Sequence, residues 1–182
     1  MEHARELAVL VLVPLAVLAV VDGLWIHLWR LRLHTRPECA REHRLHTARA
    51  LLFPVVLVLL YGRESTGIVL VSALALAAID TVLEAWDTFE EPRSREALGG
   101  LSRAEALLHV ILVSLRSASL VLAFAAKPAA AWSLAATGSG GSIPPWQAQL
   151  VLQGLLPGAV GVAALHVILA LRIPCENRER FA

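Results

Sequence analysis

Three carboxylates recur along an otherwise apolar stretch, AIDTVLEAWDTFEEP, residues 78–92. Asp80, Glu84 and Asp87 are spaced i, i+4 and i+7, which places them on one face of a helix. Acidic groups this close repel one another unless a cation neutralises them. The pattern therefore predicts either a bound metal ion or ion pairs with arginines of the neighbouring segments. The candidate arginines are Arg41, Arg44, Arg49 and Arg103.

Histidines and further carboxylates recur at the same predicted depth. Glu42 and His46 (EHRLH) are spaced i, i+4 at the start of the second apolar stretch, and Glu105 and His109 (EALLH) have the same spacing at the start of the fourth. The remaining histidines at this level are His27, His43 and His166. Ionisable groups inside membrane spans are costly, and they commonly face a bundle interior and serve a function.

A mixture of imidazoles and carboxylates is the ligand set of iron, zinc and manganese. Helix bundles build dinuclear sites from Glu and His on facing helices. The sequence therefore predicts a transition-metal site that holds iron, as one ion or two, or zinc. The predicted ligands are His27, His43, His46, Asp80, Glu84, Asp87, Glu105, His109 and His166.

Two further charges fall deeper within apolar stretches. Asp22 lies in the first stretch and Arg116 near the middle of the fourth. We expect a buried Asp22–Arg116 salt bridge, or else Asp22 reaching the metal site while Arg116 binds an anionic group. Ser102, three residues before Glu105, is a predicted N-cap, and the capping box that it would complete is a purely structural role for Glu105.

The elements that position these residues are five apolar stretches. The chain of 182 residues is 57% hydrophobic with a mean hydropathy of +0.66, above the roughly 45–50% of soluble domains. We predict an all-α integral membrane bundle of five transmembrane helices, forming one domain over residues 1–182. The predicted spans are about 7–29, 43–61, 66–88, 103–125 and 148–172.

The arginines predict the orientation of this bundle. Twelve of the 16 Lys and Arg residues fall in segments 30–49 and 87–103 and in the C-terminal tail. Positive charge concentrates on the cytoplasmic side, so we expect the N-terminus outside, the C-terminus in the cytoplasm and the site facing the cytoplasm of a bacterial-type inner or plasma membrane. Cys39 and Cys175 would both lie on that reducing side, which argues against a disulfide.

The favoured function is a non-haem iron or di-iron oxidoreductase that acts on a lipid-like substrate at the cytoplasmic interface, with Glu84, Asp87 and Arg116 as catalytic residues. The alternatives are a zinc-dependent membrane hydrolase and a metal or proton transporter. Haem ligation by paired histidines is a weaker alternative. A redox partner or a second copy of the chain are the expected protein partners. A net charge of +1 and the lack of a basic–aromatic surface argue against nucleic-acid binding.

Overall fold

The computed structural model describes residues 2–136 and 143–172. Within these ranges the chain is helical and contains no strand, and five helices are long and apolar enough to cross a membrane. The helices are α1, Glu2–Val20 continued as a π-helix over Val21–Arg30; α2, Ala40–Val56 continued as a π-helix over Leu57–Tyr61; α3, Gly67–Arg95; α4, Arg103–Ala125; and α5, Pro145–Ala148, the π-helical Gln149–Leu155 and Leu156–Arg172.

The predicted all-α fold with five candidate membrane helices is confirmed, and the sidedness of the bundle stays a prediction. Cys175, the tail arginines Arg178 and Arg180 and the glycine-rich stretch 138–141 lie outside the described residues.

Apolar and polar side chains separate along the length of the bundle. α1 packs along α4, while α2 packs against both α3 and α5. At one end, here called the apolar end, the core is aliphatic and includes Val9, Leu57, Leu70 and Val151. At the opposite end, the polar end, charged groups and histidines are buried together with a few apolar side chains such as Leu33 and Cys39. Apolar side chains such as Leu171, 81% exposed, cover the outside of the bundle, as expected for helices in lipid.

The third helix is longer than the predicted span. α3 continues past residue 88 to Arg95 and contains Pro92, whereas the sequence pattern placed residues 88–103 in a loop. The extra turns pack against the rest of the bundle, since Glu91, Ser94 and Arg95 are buried. The connection to α4 turns at Gly99 and Gly100, with φ of 90° and 92°, a conformation that favours glycine.

The predicted N-cap of α4 is confirmed. The Ser102 hydroxyl accepts a hydrogen bond from the backbone N–H of Glu105 at 3.2 Å. The carboxylate of Glu105 points into the bundle and contacts Arg95 and His27. The backbone of Glu105 therefore completes the N-cap of α4, and its carboxylate joins the buried polar cluster.

Candidate metal centre

The π-helical end of α1 brings Asp22 and His27 together. Residues five apart are separated by about 140° around an α-helix. In a π-helix, whose hydrogen bonds join residues five apart, they lie on nearly the same face. Asp22 Oδ1 and His27 Nε2 are 3.5 Å apart as a result, and both side chains are buried.

His109 of α4 completes a first group of three potential ligands. Its Nε2 atom lies 3.1 Å from Asp22 Oδ1, and its Nδ1 atom lies 3.0 Å from Glu91 Oε2. Ligand atoms of Asp22, His27 and His109 all lie within 4.8 Å of one another. Glu105 Oε1 is 3.6 Å from His27 Nε2, so a further carboxylate borders this group.

His27 also belongs to a second group, with Glu42 and His46 of α2. Ligand atoms of these three residues again lie within 4.8 Å of one another. His46 Nε2 is 3.6 Å from Glu42 Oε1 and 3.3 Å from Asp87 Oδ2. The ring centroids of His27 and His46 are 4.7 Å apart. His27 therefore stands between two groups, each made of two imidazoles and one carboxylate.

The spacing of these atoms is close to that of a metal coordination shell. For metal–ligand bonds of about 2.1 Å in tetrahedral geometry, neighbouring ligand atoms are about 3.4 Å apart. Three of the four imidazole-to-carboxylate distances in the two groups are 3.1 to 3.6 Å, and the fourth, between His27 and Glu42, is at most 4.8 Å. Two imidazoles with one carboxylate are the ligand set of non-haem iron oxygenases and of several catalytic zinc sites.

Several nitrogens at this site have no hydrogen-bond partner. Within the described part of the chain, both ring nitrogens of His27 and the Nε2 atom of His46 are buried without one, although carboxylate oxygens lie 3.3–3.6 Å away. Buried polar atoms in proteins are almost always hydrogen-bonded, so each exception requires an explanation such as an ion or water.

Two arginines neutralise the deeper part of the acidic face. Arg116 contacts Asp80 at 2.6 Å and Glu84 at 2.6 Å. Arg49 contacts Glu84 at 2.5 Å and Asp80 at 3.3 Å. Asp80 and Glu84 therefore form ion pairs with arginines, as the second of the two predicted alternatives had it. They lie outside both three-ligand groups.

The predicted Asp22–Arg116 salt bridge is wrong, because Arg116 contacts Asp80 and Glu84. Asp22 bonds His109 instead, so it lies beside a histidine that was predicted as a ligand, and its place at a metal site stays a prediction. Arg116 also donates to the Thr81 hydroxyl at 3.1 Å. Its guanidinium is thus surrounded by side chains of α3.

A third arginine holds Glu42 in place. Arg95, which is 1% exposed, donates two hydrogen bonds to the Glu42 carboxylate, at 2.7 and 2.9 Å. Its Nε atom donates to Glu105 Oε1 at 2.8 Å, and the Ser94 hydroxyl also donates to Glu42. This network orients the two carboxylates that flank His27, as outer hydrogen bonds do for metal ligands.

Asp87 connects the arginine pairs with the histidines. Its Oδ2 atom lies 3.3 Å from His46 Nε2 and 3.3 Å from an Arg49 nitrogen. Its Oδ1 atom is buried and, among the described residues, has no hydrogen-bond partner. The catalytic roles predicted for Asp87, Glu84 and Arg116 stay predictions.

His43 and His166, both predicted as ligands, lie beside these groups. Their rings stack with centroids 5.3 Å apart, and His166 is 6.4 Å from His46. Neither belongs to a three-ligand group.

Sequence reasoning overlooked Glu91, Arg95 and His34 as members of this cluster. Glu91 extends the spacing of Asp80, Glu84 and Asp87 to i+11, so the helical pattern itself contained the signal. Comparison of the chain with protein-family models, with curated proteins and with solved structures gave no match.

Proposed function

We propose that this protein is a membrane-embedded metal protein in which His27 serves two metal-binding groups, with Asp22 and His109 on one side and Glu42 and His46 on the other. The observation that carries the proposal is His27 itself. It is 2% exposed, neither ring nitrogen has a hydrogen bond within the described residues, and carboxylates from two helices approach its Nε2 atom at 3.5 and 3.6 Å. A bound cation satisfies both the nitrogen and the carboxylates.

Charge balance supports the same proposal. The polar end buries seven carboxylates, and only three arginines, Arg49, Arg95 and Arg116, contact them there among the described residues. The buried carboxylates are Asp22, Glu42, Asp80, Glu84, Asp87, Glu91 and Glu105. With all seven ionised, four negative charges remain, and an unpaired buried charge costs several kcal/mol. Two divalent cations would supply four positive charges, or three net charges when His27 bridges the two ions as an imidazolate.

Protonated histidines are the competing source of positive charge. They would have to crowd together, because the rings of His27, His46 and His109 have centroid separations of 4.7 and 5.6 Å. Like charges at this distance repel strongly in a low-dielectric interior. A divalent ion shared among the same rings avoids that repulsion, since its ligands are neutral imidazoles.

Iron is the metal that we propose, and the reaction is an oxidation of a lipid-like substrate. Two imidazoles and one carboxylate leave coordination positions open, and this arrangement supports oxygen chemistry at non-haem iron. The bundle is wrapped in exposed apolar side chains near the site, including Trp25 and Trp29, so an oily substrate would approach from the bilayer.

Zinc-dependent hydrolysis is the second candidate, and Asp87 favours it. Its Oδ1 atom is buried and has no hydrogen-bond partner within the described ranges, while Oδ2 lies 3.3 Å from His46 Nε2. A carboxylate in this position can act as a general base toward a water bound to zinc.

Metal analysis of the purified, detergent-solubilised protein tests the proposal. We expect at least one iron or zinc ion per chain and a loss of most of it in His27→Ala. The control is His3→Ala, because the side chain of His3 is 96% exposed and lies in the first turn of α1. Helical content measured by circular dichroism must remain unchanged in both variants.

Iron identified by its optical and electron paramagnetic resonance spectra supports the oxidoreductase, and a colourless zinc protein supports the hydrolase. Wild-type protein that neither retains nor takes up iron, zinc or manganese would contradict metal binding altogether. Full metal content in a folded His27→Ala variant would contradict the central role of His27.

A further inference from the structure

Three histidines remain unexplained by the two ligand groups. His43 and His166 are 1% and 4% exposed, and His34 lies half-buried in the turn after α1. Within the described ranges, His43 Nε2, His166 Nδ1 and His34 Nδ1 are buried atoms without a hydrogen-bond partner. Each such atom is destabilising, and an aromatic or aliphatic side chain in the same space would avoid that cost.

These histidines form a continuous series that ends at the candidate metal centre. The ring centroids are 6.3 Å apart from His34 to His43, 5.3 Å from His43 to His166 and 6.4 Å from His166 to His46. The last step, from His46 to His27, is 4.7 Å. Together with His109 the series contains six of the seven histidines of the chain.

Every step is short enough for two neighbouring rings to bind the same ion. With a metal–nitrogen bond of about 2.1 Å, the ion lies about 3.2 Å from the ring centroid, so two rings that share an ion are separated by at most about 6.4 Å. All four separations lie at or below that limit. These distances permit an ion to bind the next imidazole before it leaves the previous one, once the stacked His43 and His166 rings rotate to turn a nitrogen toward it.

Other directions out of the centre are occupied by ion pairs. Toward the apolar end, Arg49 and Arg116 lie against Asp80 and Glu84. Beside Glu42, the Arg95 guanidinium is bonded to carboxylates and is 1% exposed. A cation approaching along either direction would meet a fixed positive charge. The histidine series itself contains no arginine, although the charge of Arg32 lies close to His34 at its outer end.

We propose that His34, His43 and His166 form a loading path by which a divalent transition metal reaches His46 and His27. In each step one metal–nitrogen bond forms as another breaks, so the ion keeps its charge and oxidation state. The path begins at the turn after α1, where Arg32 adopts a left-handed conformation with φ of 52° two residues before His34. This inference rests on the proposed metal centre, because without a resident ion the path has no destination.

The test is the rate of metal uptake by chelator-stripped protein, with Zn²⁺ as the probe. Zn²⁺ is supplied from a chromophoric chelator, whose absorbance follows transfer to the protein, and the final metal content is measured after equilibration. The variants are His43→Phe and His166→Phe, which keep an aromatic ring in the space, and His34→Phe, whose half-buried position makes it the least disruptive to folding. His3→Phe is the control.

We expect each path variant to take up Zn²⁺ at least 10-fold more slowly than the wild type and to reach the same final content. His3→Phe should match the wild type in both respects. Uptake at the wild-type rate in folded path variants would overturn the loading path while leaving the metal centre intact. A reduced final content would also overturn it, because the histidine would then be a resident ligand. If wild-type protein binds no metal, the proposed function and the path both fail.

Discussion

Replacement of Arg95 by methionine isolates the energy of the buried ion network. The substitution removes three hydrogen bonds, of 2.7, 2.9 and 2.8 Å, from the carboxylates of Glu42 and Glu105. Both carboxylates are buried, so they cannot recover these interactions from water. Breaking a buried ion pair by removing one partner costs roughly 3–5 kcal/mol. In metal-free protein, Arg95→Met should lose about that much free energy of unfolding.

Thermal unfolding of the metal-free protein in detergent measures the effect. For a chain of this size, 1 kcal/mol corresponds to roughly 2–4 °C in the unfolding midpoint, so the expected decrease is between about 6 and 20 °C. The control is Arg93→Met, which removes an exposed arginine two residues away on the same helix. Its effect should remain within about 0.5 kcal/mol.

A double variant separates loss of charge pairing from loss of packing. Adding Glu105→Gln to Arg95→Met removes one of the two unpaired carboxylates and should restore part of the lost stability. If Arg95→Met unfolds at the same temperature as Arg93→Met, the network contributes nothing measurable and the electrostatic reasoning for the polar end is refuted. If the double variant is less stable than Arg95→Met, packing explains the loss better than charge.

Three shorter predictions concern the rest of the bundle. Arg116→Met leaves two buried carboxylates with one arginine between them, and it should lower the free energy of unfolding by about 3 kcal/mol or more in the same assay. Ser119→Ala removes the hydrogen bond to the Tyr61 hydroxyl and should cost about 1–3 kcal/mol; no change would show that the hydroxyl finds another partner. In a cysteine-free background, Arg63→Cys should react with an impermeant thiol reagent in intact cells and Arg93→Cys only after lysis, and the reverse result would invert the predicted orientation.

Hydropathy predicted the fold because lipid permits few alternatives. A chain that crosses a membrane must satisfy its backbone polar groups within each segment, so long apolar stretches are helices. The predicted fourth span, 103–125, coincides with α4, where Ser102 and Glu105 supply a recognisable start. The end of α3 was missed because Pro92 and the surrounding charges are typical of a loop, whereas contacts of Arg95 with α2 and α4 extend the helix.

Sequence spacing could bring only some of the site residues together. The shared depth of His27, His46 and His109 correctly placed them near one another, since each lies at the polar end of its helix. Sequence spacing could not predict the contact between Asp22 and His27, because residues five apart lie on roughly opposite sides of an α-helix. No pattern in residues 21–30 predicts the π-helix that brings them together. Which cation faces Asp80 was equally undetermined, since arginines and histidines enter at similar depth.

The arginines on the acidic face are compatible with a metal beside them, because the two kinds of cation serve different carboxylates. Arg49 and Arg116 contact Asp80 and Glu84. In the described part of the chain, the ion-pair partners of Asp22 are histidines only. An arginine has a permanent charge and five donors, so it neutralises its acids in every state of the protein. An imidazole is neutral when it binds a metal, so the charge opposite Asp22 depends on whether an ion is present. With the proposed ion bound, the polar end combines a layer that arginines neutralise permanently with a layer whose charge balance depends on the ion, and removal of that ion should destabilise the second layer alone.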